Sequence, residues 1–197
     1  LSGQSTFTGG VSVTSGGILF GANSTANSGV LGGVSSGPLG TGVLNLSGGT
    51  RLLTGTAQVI GNAVNVGGNF GFDSTVPGGS NLTLSGLVTL PGTVTIDVNN
   101  PGMTAALGSI TRQGGAGAIA ITKTGLGTLA LGALMPGNTV TLNLNDGNLS
   151  LLHDGDGTGS RQVINTGITL FPSAALNLTI GRLGSTYAPL FALASNK

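Results

Sequence analysis

The chemically richest stretch of this 197-residue chain is HDGDGTGSR at 153–161. It holds the only histidine, His153, beside two of the five acidic residues, Asp154 and Asp156. Paired carboxylates can serve as acid and base across a glycosidic bond, with an imidazole to carry protons, so one reading is a polysaccharide-cleaving site. A second is a cation site, because DGDGTGS sets oxygens at alternate positions around glycine, as calcium loops do. The bidentate acid that closes such a loop would fall at Asn165, so the ligand set is incomplete and calcium held by Asp154 and Asp156 would be held weakly. A third reading needs no chemistry: Gly155, Gly157 and Gly159 make turns, and the aspartates keep an exposed loop solvated. With no electrophilic clamp nearby in sequence, the solvated loop is favoured, and no catalytic residue or cofactor is assigned.

Other chemistry-bearing patterns are thinner. The string GGAG at 114–117 is not followed by the Lys-Ser/Thr pair of a phosphate loop. Thr-x-Thr pairs occur at Thr6/Thr8, Thr93/Thr95, Thr122/Thr124 and Thr139/Thr141, at intervals too irregular to predict a continuous threonine ladder. The six basic residues, Arg51, Arg112, Lys123, Arg161, Arg182 and Lys197, stand singly, so no basic stripe is available to neutralise phosphates and nucleic acid is not expected as a partner.

The elements that must position any site follow from composition. Only 6% of residues are charged and none is Glu, against about a quarter charged in an ordinary domain. Disorder is disfavoured by 39% apolar residues and a mean hydropathy of +0.40. No apolar run approaches the roughly 18 residues of a membrane helix, and 4% aromatics without Trp cannot furnish the girdles of a membrane barrel, so the chain is read as not membrane-embedded. The absence of cysteine excludes a disulfide scaffold. The opening LSGQSTFTGG has no charged leader or apolar core, which leads us to expect a chain that begins inside a longer protein.

Thirty-nine glycines divide the chain into short runs that alternate apolar residues with Thr, Ser or Asn, such as VTIDV at 94–98 and VTLNL at 140–144. Period two with β-branched residues predicts strand, and no run free of Gly and Pro carries a helical stripe. The segments VSVTSGGILFG at 11–21, VLNLSGGTRLLTG at 43–55 and VTLNLNDGNLSLLHDG at 140–155 share a plan of strand, turn, strand and glycine. Asn-Leu-Ser/Thr recurs at Asn45, Asn81, Asn148 and Asn177, and is read as a stacked asparagine ladder rather than as glycosylation sites. The fold predicted is all-β: a right-handed parallel β-helix, or β-solenoid, running as one continuous segment over 1–197. Coils of about 20–25 residues would give roughly eight or nine of them. Val94, Ile96, Val98, Ile119, Ile121, Leu129, Leu131, Val140, Leu142 and Leu144 are expected to face one core.

Residues 119–131, IAITKTGLGTLAL, resemble the autotransporter-associated β-strand repeat, also called the passenger-associated transport repeat. Ile121, Thr122, Lys123, Thr124, Gly125, Gly127, Thr128, Leu129 and Leu131 fall on its pattern. The second half of that pattern is similar to residues 2–21, with Phe7 at the aromatic place and Gly9, Gly10, Val11, Val13, Gly16 and Gly17 at the others. After Leu131 the central copy departs from the pattern, with GALMPGNTV lacking the aromatic. The resemblance implies the passenger of a Gram-negative secreted or surface protein. On physical grounds, the paired glycines suit tight corners, and Lys123 is expected to bond turn carbonyls with its head in water.

Three classes of function are therefore open. The first is a non-catalytic stalk or spacer of an extracellular adhesin or autotransporter passenger, its partners being neighbouring coils of the parent chain. The second is a binding module, adhesive or self-assembling, that stacks end to end with its own kind. The third, a polysaccharide-degrading β-helix enzyme, has little beyond architecture to support it.

Overall fold

The computed structural model describes residues 1–27, 33–135, 137–151, 168–170 and 174–176, and these contain strands and no helix. In chain order the strands are β1 (Val11–Val13), β2 (Gly17–Phe20), β3 (Thr25–Ala26), β4 (Val34–Ser36), β5 (Leu44–Leu46), β6 (Thr50–Thr54), β7 (Gln58–Ile60), β8 (Val64–Val66) and β9 (Phe70–Ser74). They continue as β10 (Leu82–Leu90), β11 (Thr93–Val98), β12 (Thr104–Arg112), β13 (Ala118–Thr124), β14 (Thr128–Leu134), β15 (Thr139–Leu144), β16 (Gly147–Leu151), β17 (Ile168–Leu170) and β18 (Ala174–Leu176).

Successive strands do not pair with one another but with the strand one coil away. One sheet runs β1-β5-β8-β10-β12-β14-β16-β18, with β7 also on β10, and a second runs β17-β15-β13-β11-β9-β6-β2. Every pairing in these two sheets is parallel, which makes the chain a β-solenoid. β7 and β8 pair with separate parts of β10, and the register shifts between Leu84 and Leu87, so one long strand, β10, continues two shorter strands of the preceding coil.

The alternation read from sequence sets the core. All ten residues expected to point inward are buried, and they join Phe20, Leu52, Phe72, Leu84 and Leu107 in one apolar cluster. Each such side chain contributes roughly 1.5–3 kcal/mol by leaving water, so stacking coils is what pays for ordering so short a strand.

Among the described residues seven strands stack in the second sheet, where eight or nine coils were expected of the whole chain. Part of the chain is diverted: the step from Val11 to its partner Leu44 encloses the antiparallel pair β3–β4 rather than another coil. Coil length also varies, from 20 residues between Leu44 and Val64 to 27 between Gly147 and Ala174. The three segments that look alike in sequence do not occupy one place. Residues 11–21 and 43–55 turn from the first sheet to the second, whereas 140–151 turn from the second back to the first.

The bend inside the long strands is lined by glycine. A methyl carbon placed on Gly132 would lie 2.0 Å from the Gly108 carbonyl oxygen, one on Gly108 would lie 2.9 Å from Ser85 O, and one on Gly86 would lie 2.5 Å from Gly61 O. Coils 4.7–4.9 Å apart bring backbone onto backbone here, leaving no room for a side chain.

Candidate functional site

The residues that match the repeat pattern build one corner of the stack. Ile121 lies on the inward row of β13, which Lys123 ends, Thr122 and Thr124 face outward, Gly125 and Gly127 turn the chain, and Thr128, Leu129 and Leu131 belong to β14. Gly125 has φ +76°, and a methyl carbon on it would lie 2.4 Å from Val98 O. Gly127 has no positive φ, but its missing Cβ would meet Asn100 O at 2.5 Å, so it is required by close approach. Gly125→Val is therefore expected to cost well over 1 kcal/mol in a urea melt, and an unchanged midpoint would make this glycine incidental.

Lys123 corrects one expectation. Its ammonium was expected to stay in water, yet the residue is 2% exposed and lies on the inward row between Ile96 and Leu144. Nζ curls under the turn and donates to Thr124 O at 2.7 Å, Gly125 O at 2.6 Å and Asp146 O at 3.2 Å. These carbonyls lie at the ends of strands and in the turns that follow, and a buried carbonyl left unpaired is costly. Burial lowers the Lys123 pKa from 10.5 to about 8, against the pull of Asp97 and Asp146. Between those two values the unfolded chain binds more protons than the folded one, so stability should rise with pH from about 8 to about 10.5. Lys123→Met should abolish this rise. Thermal melts of both proteins across this range supply the check, and parallel profiles would contradict the assignment.

The same column of corners is served in other coils by other donors. Thr54 Oγ1 bonds Thr56 O, Gln58 Nε2 bonds Thr56 Oγ1, and Asn100 Nδ2 reaches Val76 O one coil away at 3.0 Å. Elsewhere asparagine oxygens accept from the backbone of a neighbouring coil: Asn69 from Thr95 N, Asn81 from Thr104 N, and Asn138 from Arg112 N. Asn62 is buried, donates to Gly40 O and Gly42 O, and accepts from Ser24 Oγ, pinning the diverted segment to the stack. Of the ladder expected among Asn45, Asn81, Asn148 and Asn177, the first two do not bond each other. Asn45 receives its bond from Asn65, whose triplet is Asn-Val-Gly, while Asn81 bonds backbone instead; Asn177 lies outside the described residues.

On the outer face of the second sheet, Arg51 passes over Gly71 to reach Asp97 at 2.8 Å, and Asp97 also accepts from Thr124 Oγ1 at 3.1 Å. A side chain at Gly71 would meet Arg51 Nη1 at 3.3 Å, so the glycine keeps open a notch through which one ion pair spans three coils. Thr95, Thr122, Asn143 and Thr169 share one row of this sheet, and Thr93, Ala120 and Thr141 another. Asn143 and Ala120 interrupt the threonines, as their irregular sequence spacing anticipated.

His153, Asp154 and Asp156, with the whole of 153–161, lie outside the described residues. Among the N-terminal residues that match the repeat, Phe7 is 44% exposed beside the Gly40 turn. Gly9 and Gly10 lead into β1, Val11 and Val13 pack against the core, and Gly16 and Gly17 lead into β2. No helix among the described residues is long and apolar enough to cross a membrane. Comparison with family models, with curated proteins and with solved structures finds no match to this chain.

Proposed function

We propose that this chain is a non-catalytic structural segment, a stalk or spacer within a large bacterial extracellular adhesin or autotransporter passenger at the cell surface or secreted from it. The observation that carries the reading is where polar side chains direct their bonds. Arg51, Asn62, Asn69, Asn81, Asn100, Lys123 and Asn138 each hold a neighbouring coil, so the polar chemistry of the described residues is used to join coils. The resemblance of 119–131 to the passenger repeat supports the same reading, because its lysine, threonines and glycines occupy one corner.

The partners this function needs are the adjoining coils of the parent chain, with neither nucleic acid nor cofactor required. Sedimentation and electron microscopy of the purified chain test it. Discrete short particles at every concentration support a spacer, while filaments that lengthen with concentration favour a self-assembling fibre subunit. Release of reducing sugar from acidic or neutral polysaccharide, with or without calcium, would overturn the structural reading if it disappeared when His153, Asp154 and Asp156 were all replaced by Ala.

A further inference from the structure

We propose that Lys123 is a register lock: its amino group ties the 124–127 corner to the 145–147 corner of the following coil, and removing its donors opens the stack at that joint. Three observations converge on it. The first is reach, since one nitrogen bonds Thr124 O and Gly125 O in its own corner and Asp146 O in the next. The second is packing. A methyl carbon on Gly147 would lie 2.5 Å from both Gly125 O and Gly127 O, so the two corners are in close contact, and one of the two carbonyls at that contact is held by Lys123. The third is position: Lys123 stands where its in-register neighbours are Ile96 and Leu144, both fully buried. An apolar residue would satisfy the core at that place, and the lysine is retained against its desolvation cost.

Register is the property at stake. Parallel strands with one buried face are fixed in register by the side-chain alternation, but a corner has no alternation to fix it. Across this joint the backbone supplies Asn145 N to Lys123 O at 2.9 Å and Asn148 N to Gly127 O at 3.2 Å, and the lysine side chain links the turns between these two bonds. The carboxylates nearest the ammonium are those of Asp97, itself held by Arg51 and Thr124, and Asp146. A neutral amine still has two N–H donors, so the lock persists above the pH at which Lys123 loses its proton.

Hydrogen exchange on the full chain separates this from a merely structural lysine. Lys123→Met keeps the length and apolar stem but removes every donor. A core-packing role predicts that Met leaves protection unchanged or raises it throughout. The lock predicts at least a tenfold loss of protection at Thr139–Leu144 and Gly147–Leu151, with Leu44–Leu46 and Val64–Val66 changed less than twofold. Lys123→Gln, which retains N–H donors at shorter reach, should lose less at the same amides than Met does. Uniform loss, no loss, or a Met variant that does not fold at all would each overturn a lock confined to this joint.

Discussion

Gly132→Ala is expected to lower the unfolding free energy by about 3 kcal/mol, because the added carbon cannot be placed without moving two coils. It would lie 2.0 Å from Gly108 O and 2.8 Å from Leu107 O, both of them backbone atoms that no side-chain rotation can displace. Gly132 has no positive φ, so the penalty is one of space alone. Gly9→Ala is the control, since nothing lies within 4 Å of its missing Cβ and its φ is also ordinary. Urea melts should separate the two by more than 2 kcal/mol. Equal midpoints would mean that the coils do not meet backbone to backbone at this bend.

Phe72→Ala should cost about 3–5 kcal/mol, the range for an aromatic side chain removed from a core that cannot collapse around the gap. Phe72 is fully buried, stands in register with Leu52 and Val98 on either side, and packs its ring against Phe70 with centroids 5.4 Å apart. Leu19 lies on the outer face at 46% exposure, and its replacement by Ala should change stability by no more than about 0.5 kcal/mol. Thermal or urea unfolding of both variants makes the comparison, and similar losses would show that the faces of the strands have been assigned wrongly.

The core was legible in the sequence because strand alternation has a fixed period of two: once VTIDV and VTLNL are read as strands, Val94, Ile96, Val98, Val140, Leu142 and Leu144 must share a face. The corner at Gly125 was legible for a similar reason, since a β-run that stops at TGLG has to turn. The bend at Gly86, Gly108 and Gly132 was not, because what forbids a side chain there is the neighbouring coil, although the inward row changes phase there in two strands, from Leu107 to Ile110 and from Leu131 to Leu134. Coil length was likewise hidden: partners stand anywhere from 20 to 27 residues apart beyond the first coil, so no single period aligns them. For Lys123 the bonds to turn carbonyls were legible, but its burial was not, because lysine seldom lies buried and only the gathering of three carbonyls beneath the turn explains its place. Asn65 lies outside the Asn-Leu-Ser/Thr pattern, because its bond to Asn45 depends on register and not on flanking residues.

The buried lysine, the notched ion pair and the asparagine joints have one consequence in common. A solenoid with six basic and five acidic residues in 197 has few charges to hold its coils in order, and of the six that are described, Arg51, Asp73, Asp97 and Lys123 act between coils. Specificity of stacking then rests on a few polar joints superposed on a core whose layers are all alike in chemistry. Such an arrangement suits a spacer, which must keep one register along its length and needs no cleft.

Paired nitroxide labels on the outer face test the central claim, coil upon coil in parallel register, most directly. The chain has no cysteine of its own, so labels can be introduced in pairs at Thr95 and Thr122, at Thr122 and Asn143, and at Thr95 and Asn143. The first two pairs are direct partners in neighbouring coils, and the third spans two coils. With coils about 4.8 Å apart, the structure predicts strong spin–spin broadening for both neighbouring pairs and clearly weaker broadening for the third, at about twice the separation. Weak broadening in the two neighbouring pairs, or equal broadening in all three, would contradict the stack.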